Sequence, residues 1–216
     1  MQSLQNDVLN RTAGGHVTRG DLQKIVEADF GLVPLLIEGC LSPKGTVRYS
    51  CAAVLVELTA KYPNKLYPYF EKFVALLDSK YRIITWNALA AIANLTSVDV
   101  DCKFDALFDR YYSFLDSEYM VTVANTVSNT ATVVVNKPYL ADRLAFELLK
   151  VQNLRLTPHL TEECTRVIAQ KAIRTFDTLM KYTQNKAILF AFAEKYQNSN
   201  RASLRKEAQG FLKKWQ

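Results

Sequence analysis

The chain has 216 residues, 49% of them hydrophobic and 22% charged, with a formal net charge of +6. That balance excludes a disordered chain, and the length suffices to bury a core. Seven glycines and six prolines are too few for an all-β fold with its many tight turns, and they favour long helices. Cys40, Cys51, Cys102 and Cys164 are scattered and only two histidines, His16 and His159, are present. With no Cys-X-X-Cys spacing, a disulfide framework or a zinc site is not expected, and no cofactor or metal is called for. The first residues lack the basic start and apolar run of a secretory signal, and no apolar run reaches the length of a membrane span. The expectation is a cytoplasmic protein with no membrane partner.

In chain order, residues 1–20, which include the flexible-looking Thr12-Ala13-Gly14-Gly15-His16, read as a capping helix and loop. Residues 21–216 read as one array of helical hairpins. In the first, Val33, Leu36, Ile37 and Cys40 form one apolar stripe, residues 41–46 a turn, and Val47, Cys51, Val54, Leu55 and Leu58 a second stripe. In the second, Phe70, Phe73, Val74 and Leu77 precede the turn at Asp78-Ser79, and Ile84, Ala88, Ala91, Ile92 and Leu95 follow it. These are the i, i+3, i+4, i+7 spacings of helix faces, and a short polar turn makes the two helices pack antiparallel. The third opens with Phe104, Leu107, Phe108, Tyr111 and Leu115 and repeats the turn at Asp116-Ser117. Its second helix is ambiguous. Registered on the turn, Thr122, Thr126 and Thr130 occupy the places of Ile84, Ala88 and Ile92, whereas one residue along lies an apolar stripe of Val123, Val127, Ala131 and Val134. The spacing predicts a fourth pair from Pro138 to about Lys150 and from Thr161 to Tyr182, with an extended connection over residues 151–160 that breaks the repeat length. A fifth pair covers residues 185–196 and 203–215.

Ser42-Pro43, Val47-Arg48, Ala52 and Leu55, echoed by Leu204-Arg205 and Ala208, give wording that resembles the HEAT repeat, and Asn87 to Thr96 is similar to the last helix of an armadillo repeat. The resemblance covers the chain from about Asp21 onward. It implies an all-α fold, an α-α superhelix of about five stacked hairpins of the HEAT/ARM-like solenoid class, because copies stack to bury what one hairpin leaves bare. Such arrays serve transport, scaffolding, phosphatase assembly, chromatin work and DNA repair, so the likeness speaks for architecture more than for function.

No glycine-rich phosphate loop, His-Glu-X-X-His or Gly-X-Ser-X-Gly is present, and the chain is expected to be no enzyme. Asp101, Asp105 and Asp109 share one helical face and read as a solvated outer surface, with docking of a basic peptide or divalent cation as the functional alternative. Trp86, Asn87, Asn94, Asn125 and Asn129 fall on second helices. In armadillo repeats that this chain resembles, asparagines there clamp the backbone of an extended peptide and tryptophans flank it. An amide suits that task because it both donates and accepts. Asn87 and Asn125 follow the Asp-Ser turn at the same distance and match best. The expectation is therefore a scaffold or adaptor binding a protein or peptide on its concave face. The alternative is nucleic-acid binding through the C-terminal third, where Arg201, Arg205, Lys206, Lys213 and Lys214 join Lys171, Arg174, Lys181, Lys186 and Lys195 against Asp177, Glu194 and Glu207. The HEAT-like alkylpurine glycosylases are similar in size and charge, but their catalytic motif finds no match here.

Overall fold

In the computed structural model, residues 2–216 are described, with side chains from residue 8 onward. The regular structure of the described residues is all helical, with no strand beyond an isolated bridge between Thr157 and Leu160. None of their helices is long and apolar enough to cross a membrane. The chain divides into two compact units, Met1–Phe104 and Asp105–Gln216, and each has its own core.

The first unit holds α1 (Gln2–Ala13), α2 (Arg19–Ala28), α3 (Val33–Gly39), α4 (Gly45–Lys61), α5 (Pro63–Leu66), α6 (Phe70–Leu76) and α7 (Arg82–Leu95). The boundary drawn at residue 20 falls inside the first turn of α2. Thr18 is the N-cap, its hydroxyl accepting from Asp21 N while Asp21 accepts from the Thr18 backbone N–H, so the helix starts before the apolar residues show it. The hairpins α3/α4 and α6/α7 pack through the expected stripes: Val33, Leu36, Cys51, Leu58, Phe70, Phe73, Ile84 and Leu95 are all buried. The second helices α4 and α7 also pack directly on one another.

The helix α8 (Lys103–Tyr112) carries the division in its first turn. The second unit continues with α9 (Met120–Asn136), α10 (Ala141–Leu149), α11 (Glu162–Leu179), α12 (Lys186–Glu194) and α13 (Ala202–Trp215). Again the second helices form a ladder, α9 on α11 and α11 on α13. Helix α11 stops at Leu179, three residues short of the expected Tyr182.

The recurring Asp-Ser phrase has a direct physical cause. Ser79 Oγ accepts from Tyr81 N and Ser117 Oγ from Tyr119 N, both at 3.2 Å. The same bond recurs from Lys44 N to Ser42 and from Arg201 N to Ser199. A serine two residues ahead of the N-cap thus closes the turns before α4, α7, α9 and α13. Twice an arginine six residues on completes it. Arg48 Nη1 donates to Ser42 O at 2.6 Å and Arg205 Nη1 to Ser199 O at 2.7 Å. Arg48 also lies 3.6 Å from the Tyr81 ring centroid, a cation–π contact that holds it between consecutive turns.

The ambiguous helix α9 keeps the register of the turn. Thr122, Thr126 and Thr130 are buried at 5%, 0% and 0% exposure, and so are Val123, Val127 and Val134. No slip is needed, because α9 is covered on two sides. The threonines tolerate burial because Thr126 and Thr130 donate to the carbonyls four residues back at 3.0 Å, and Thr130 also meets the Tyr112 hydroxyl at 3.1 Å.

The acidic stripe lies on a solvated face as expected, with Asp101 and Asp109 exposed, and its carboxylates also join elements. Asp99 accepts from the Tyr67 hydroxyl at 2.6 Å and caps α8 through Lys103 N and Phe104 N, while Asp101 sits 3.4 Å from the same hydroxyl. In the second unit Asp105 receives the buried Lys137 at 2.7 Å and the Tyr139 hydroxyl at 2.8 Å, and Asp109 receives Arg143. Among the described residues no group of three or more His, Cys, Asp and Glu could hold a metal ion.

At the α3/α4 crossing a Cβ on Gly39 would lie 2.6 Å from Cys51 Sγ, closer than the atoms allow. Gly39→Ala should therefore destabilise the protein by about 1–3 kcal/mol through overpacking. Urea titrations of Gly39→Ala, Cys51→Ala and the double variant should show the two changes coupled by at least about 0.5 kcal/mol. Additive effects would show that the contact does not decide the packing.

Candidate functional site

Counting seven residues past each turn serine reaches Tyr49, Trp86, Ala124 and Lys206, which share one face of α4, α7, α9 and α13 respectively. Eight residues past it, Asn87 and Asn125 occupy the same place. In the first unit, Trp86 is half-buried and Tyr49 exposed on that face. Asn87 Nδ2 donates to Ile83 O at 2.6 Å within its own helix, leaving its carbonyl oxygen for another donor. Asn94 has a different task. Its Nδ2 bridges to Val56 O at 3.2 Å and Thr59 Oγ1 at 3.1 Å, which ties α7 to α4.

In the second unit Asn125 repeats the Asn87 arrangement, donating to Val121 O at 2.8 Å. Asn129 lies beside the buried Tyr111, with its Nδ2 buried and lacking an acceptor. Burial drives the Tyr111 phenol well above its ordinary pKa.

The same unit contains a groove that the sequence reading did not single out. Ser128, Ala131, Thr132 and Val135 of α9 lie at i, i+3, i+4 and i+7, and so do Lys171, Arg174, Thr175 and Thr178 of α11. Ser203, Lys206, Glu207 and Gly210 of α13 follow the same rule. The cleft between α11 and α13 measures about 480 Å³ and the two between α9 and α11 about 170 and 320 Å³. Arg174 lines clefts on both sides of α11 and Ala131 lines both of the others. Small side chains and Gly210, around which an added Cβ would meet nothing within 4 Å, keep the surface open. The signal was present in the sequence as a second period of small and polar residues. It was masked by the stronger apolar period on the opposite faces.

The structure separates the basic residues by use. Arg201 pairs with Glu163, Arg205 closes its turn on Ser199 O, and Lys214 pairs with Asp177 at 2.7 Å. Arg174 Nε pairs with Glu207 at 2.7 Å. Lys206 and Lys213 are exposed and carry no ion pair among the described residues, and Lys171 reaches only Ser128 Oγ at 3.4 Å. Of the five residues of the nucleic-acid alternative, Arg201, Arg205 and Lys214 are thus engaged within the protein, and Lys206 and Lys213 carry no ion pair among the described residues. Burial opposes ionisation of Asp177, but hydrogen bonds from Lys214 and from Trp215 Nε1, with the charge of Lys181, outweigh it and hold its carboxyl below the ordinary range.

A separate cleft of about 590 Å³ lies between the 116–118 turn and the extended connection, lined by Glu118, Lys150 and Arg155 among others. The connection is stapled there by Thr157 Oγ1, which donates to Glu118 O at 3.0 Å, and by the stack of His159 on Tyr119.

Two measurements check these assignments. Asn94→Ala should cost about 1–3 kcal/mol in urea unfolding because it strips the bridge between α7 and α4. Asn87→Ala and Asn125→Ala should each stay within about 0.5 kcal/mol, since each amide bonds only its own helix. Equal losses at all three would place Asn87 and Asn125 in the framework instead. For Asp177, a depressed folded pKa means its contribution to stability is complete above the unfolded value near 4 and is lost as pH falls through the folded value. The stability gap between wild type and Asp177→Asn should be constant from neutral pH down to about 5 and then close on further acidification. A gap that persists at pH 2 would exclude the ionised carboxylate as its source.

No protein-family model matches the chain, and no curated protein matches it in sequence. Solved structures do. A designed armadillo repeat protein superposes with a TM-score of 0.55 at 20% identity, covering 100% of this chain and 94% of the other. A second, in complex with peptide (KR)4, gives 0.58 at 18%, covering 100% and 92%. An engineered protein gives 0.56 at 14%, covering 98% and 90%. At these identities the likeness is one of fold, and the fold it shows is an all-α, armadillo/HEAT-like helical repeat of the solenoid class.

Proposed function

We propose that the protein is a non-enzymatic repeat scaffold that captures a protein segment or extended peptide on the exposed face of its second helices. The observation that carries this reading is the open face shared by α9, α11 and α13, on which corresponding positions of successive helices are small or polar. Extended surfaces of this kind suit a linear ligand better than an enclosed substrate. An extended strand presents N–H and C=O groups on both edges. Asn125 in this unit, and Asn87 on the matching face of the first, each retain a free carbonyl oxygen and a second amide hydrogen to meet them. The similar designed repeat protein in complex with peptide (KR)4 supports a peptide as the class of ligand. A cytoplasmic setting fits the same reading.

Nucleic acid is the competing occupant, and the dispersal of the basic residues into ion pairs disfavours it. Purified protein should select binders from a display library of unstructured dodecamers. Asn125→Ala should weaken binders held by the second unit about three- to tenfold, and Asn87→Ala binders held by the first, the loss of one amide hydrogen bond of about 0.5–1.5 kcal/mol. Failure to select any peptide, together with duplex binding that collapses between 50 and 200 mM salt, would overturn the scaffold reading in favour of nucleic acid.

A further inference from the structure

Resting on that reading, we propose that the α9–α11–α13 groove is selective for an acidic extended segment, with Lys171 and Lys206 as the receptors of its carboxylates. The groove lining carries Lys171, Arg174, Lys206 and Lys214 against Asp177 and Glu207. The carboxylates are already engaged: Glu207 by Arg174 at 2.7 Å, and Asp177 by Lys214 at 2.7 Å and Trp215 Nε1 at 2.7 Å. What is left over is an excess of two positive charges, and it sits on the two lysines without an ion pair. Lys171 lies in the cleft between α9 and α11, and Lys206 in the cleft between α11 and α13. One cation therefore stands on either side of Arg174, the residue common to both clefts.

The pairing pattern determines which sign of ligand fits. A basic segment would have to displace Arg174 or Lys214 from its carboxylate and would face Lys171 and Lys206 unshielded, so like-charge repulsion opposes it. An acidic segment meets the two free ammonium groups without breaking either internal pair. Lysine suits this role because its ammonium is a mobile point charge on a flexible stem that can follow carboxylates at several registers. The same pattern argues for a peptide over nucleic acid. A phosphate backbone presents a charge at every step, whereas this groove offers two isolated cations separated by neutralised pairs. Flanking them the lining also has small, uncharged positions, Ser128 and Ala131 on α9 and the open position at Gly210 on α13. A main chain can approach closely there.

The test uses the full chain and three fluorescein-labelled decapeptides that alternate Glu-Ser, Gln-Ser or Lys-Ser, with a labelled duplex DNA as a fourth probe, read by anisotropy at 50 and 200 mM salt. The Glu-Ser peptide should bind at least tenfold more tightly than the Gln-Ser twin, and the Lys-Ser twin should bind more weakly than either. Lys171→Glu combined with Lys206→Glu should reduce Glu-Ser binding at least tenfold and leave the Gln-Ser peptide within twofold. Unchanged thermal unfolding of the variant would confirm that the fold is intact. If the reversal disturbs folding, Lys171→Gln with Lys206→Gln serves instead, with a loss of at least threefold expected. Gly210→Leu, which projects a side chain into open space, should block Glu-Ser binding with the fold preserved. Equal affinity for the Glu-Ser and Gln-Ser peptides would overturn the charge selectivity and leave the scaffold reading standing. So would Glu-Ser binding that is indifferent to the lysine changes. Tighter binding of duplex DNA, lost in the same lysine variants, would reassign the groove to nucleic acid. Binding of no peptide of any charge would overturn both readings together.

Discussion

The second helices of this protein carry more apolar surface than their own hairpin partners can cover, and that constraint organises the rest. Helix α4 buries Val47, Cys51, Val54, Leu55 and Leu58, more than its own hairpin partner α3 can cover, and α7 supplies the missing surface. In the second unit α11 is covered by α9 on one side and α13 on the other. Stacking copies satisfies a requirement that no single hairpin meets. Once the ladder forms, one face of each second helix is left outward at a fixed rotation, and successive helices present equivalent positions on it. A linear surface thus arises as the by-product of burying the core.

The polar groups follow from the same geometry. Stacking brings turns and helix ends of neighbouring hairpins together, where carbonyl and N–H groups left over by the helices find side-chain partners. The serine hydroxyls, the guanidinium groups of Arg48 and Arg205, and Asp99, Asp105 and Asp142 meet that need. Asp142, for example, receives the Thr183 hydroxyl and Gln184 N, which pins the segment leading from α11 into α12 to α10 of the preceding hairpin. Its carboxyl is held below the ordinary range chiefly by the Thr183 bond, against the opposing effect of burial. Most of these links join residues about one repeat apart in sequence, such as Tyr67 to Asp99 and Lys137 to Asp105. A charged residue of a solvated stripe, such as Asp105, can therefore also act as a connector between repeats.

That is also why the sequence disclosed its architecture more readily than its site. The apolar periods of α4, α7 and α11 and the repeated turn serine are local patterns with one physical meaning each, so element type and order could be read directly. Helix α9 was harder because threonine is polar in isolation. Only the presence of a carbonyl four residues back, and of Tyr112 opposite, makes Thr130 a core residue. The polar face was harder still. Asn87 and Asn94 lie seven residues apart on one helix and look equivalent in sequence, yet Asn94 hydrogen-bonds to α4 and Asn87 to its own helix. The difference lies in which helix passes nearby, which is tertiary information. Likewise Arg201, Arg205 and Lys206 form one basic cluster in the sequence. In three dimensions the first pairs with Glu163, the second closes a turn and only the third is unpaired.

Net charge is consequently a poor guide to what such a surface binds. The +6 of the chain counts cations that are internally neutralised together with those that are free, and only the free ones contribute an unscreened field at short range. A guanidinium held by a carboxylate at 2.7 Å presents a dipole to an incoming ligand, while an unpaired ammonium presents a charge. On a ladder of equivalent helix faces this distinction is drawn separately at each step, because every second helix contributes its own residues at the same rotation. Repeat surfaces can therefore encode a pattern of charge along a line, with neutral steps between charged ones. It is this spacing, more than the sum, that discriminates a peptide with carboxylates at intervals from a polymer charged at every unit.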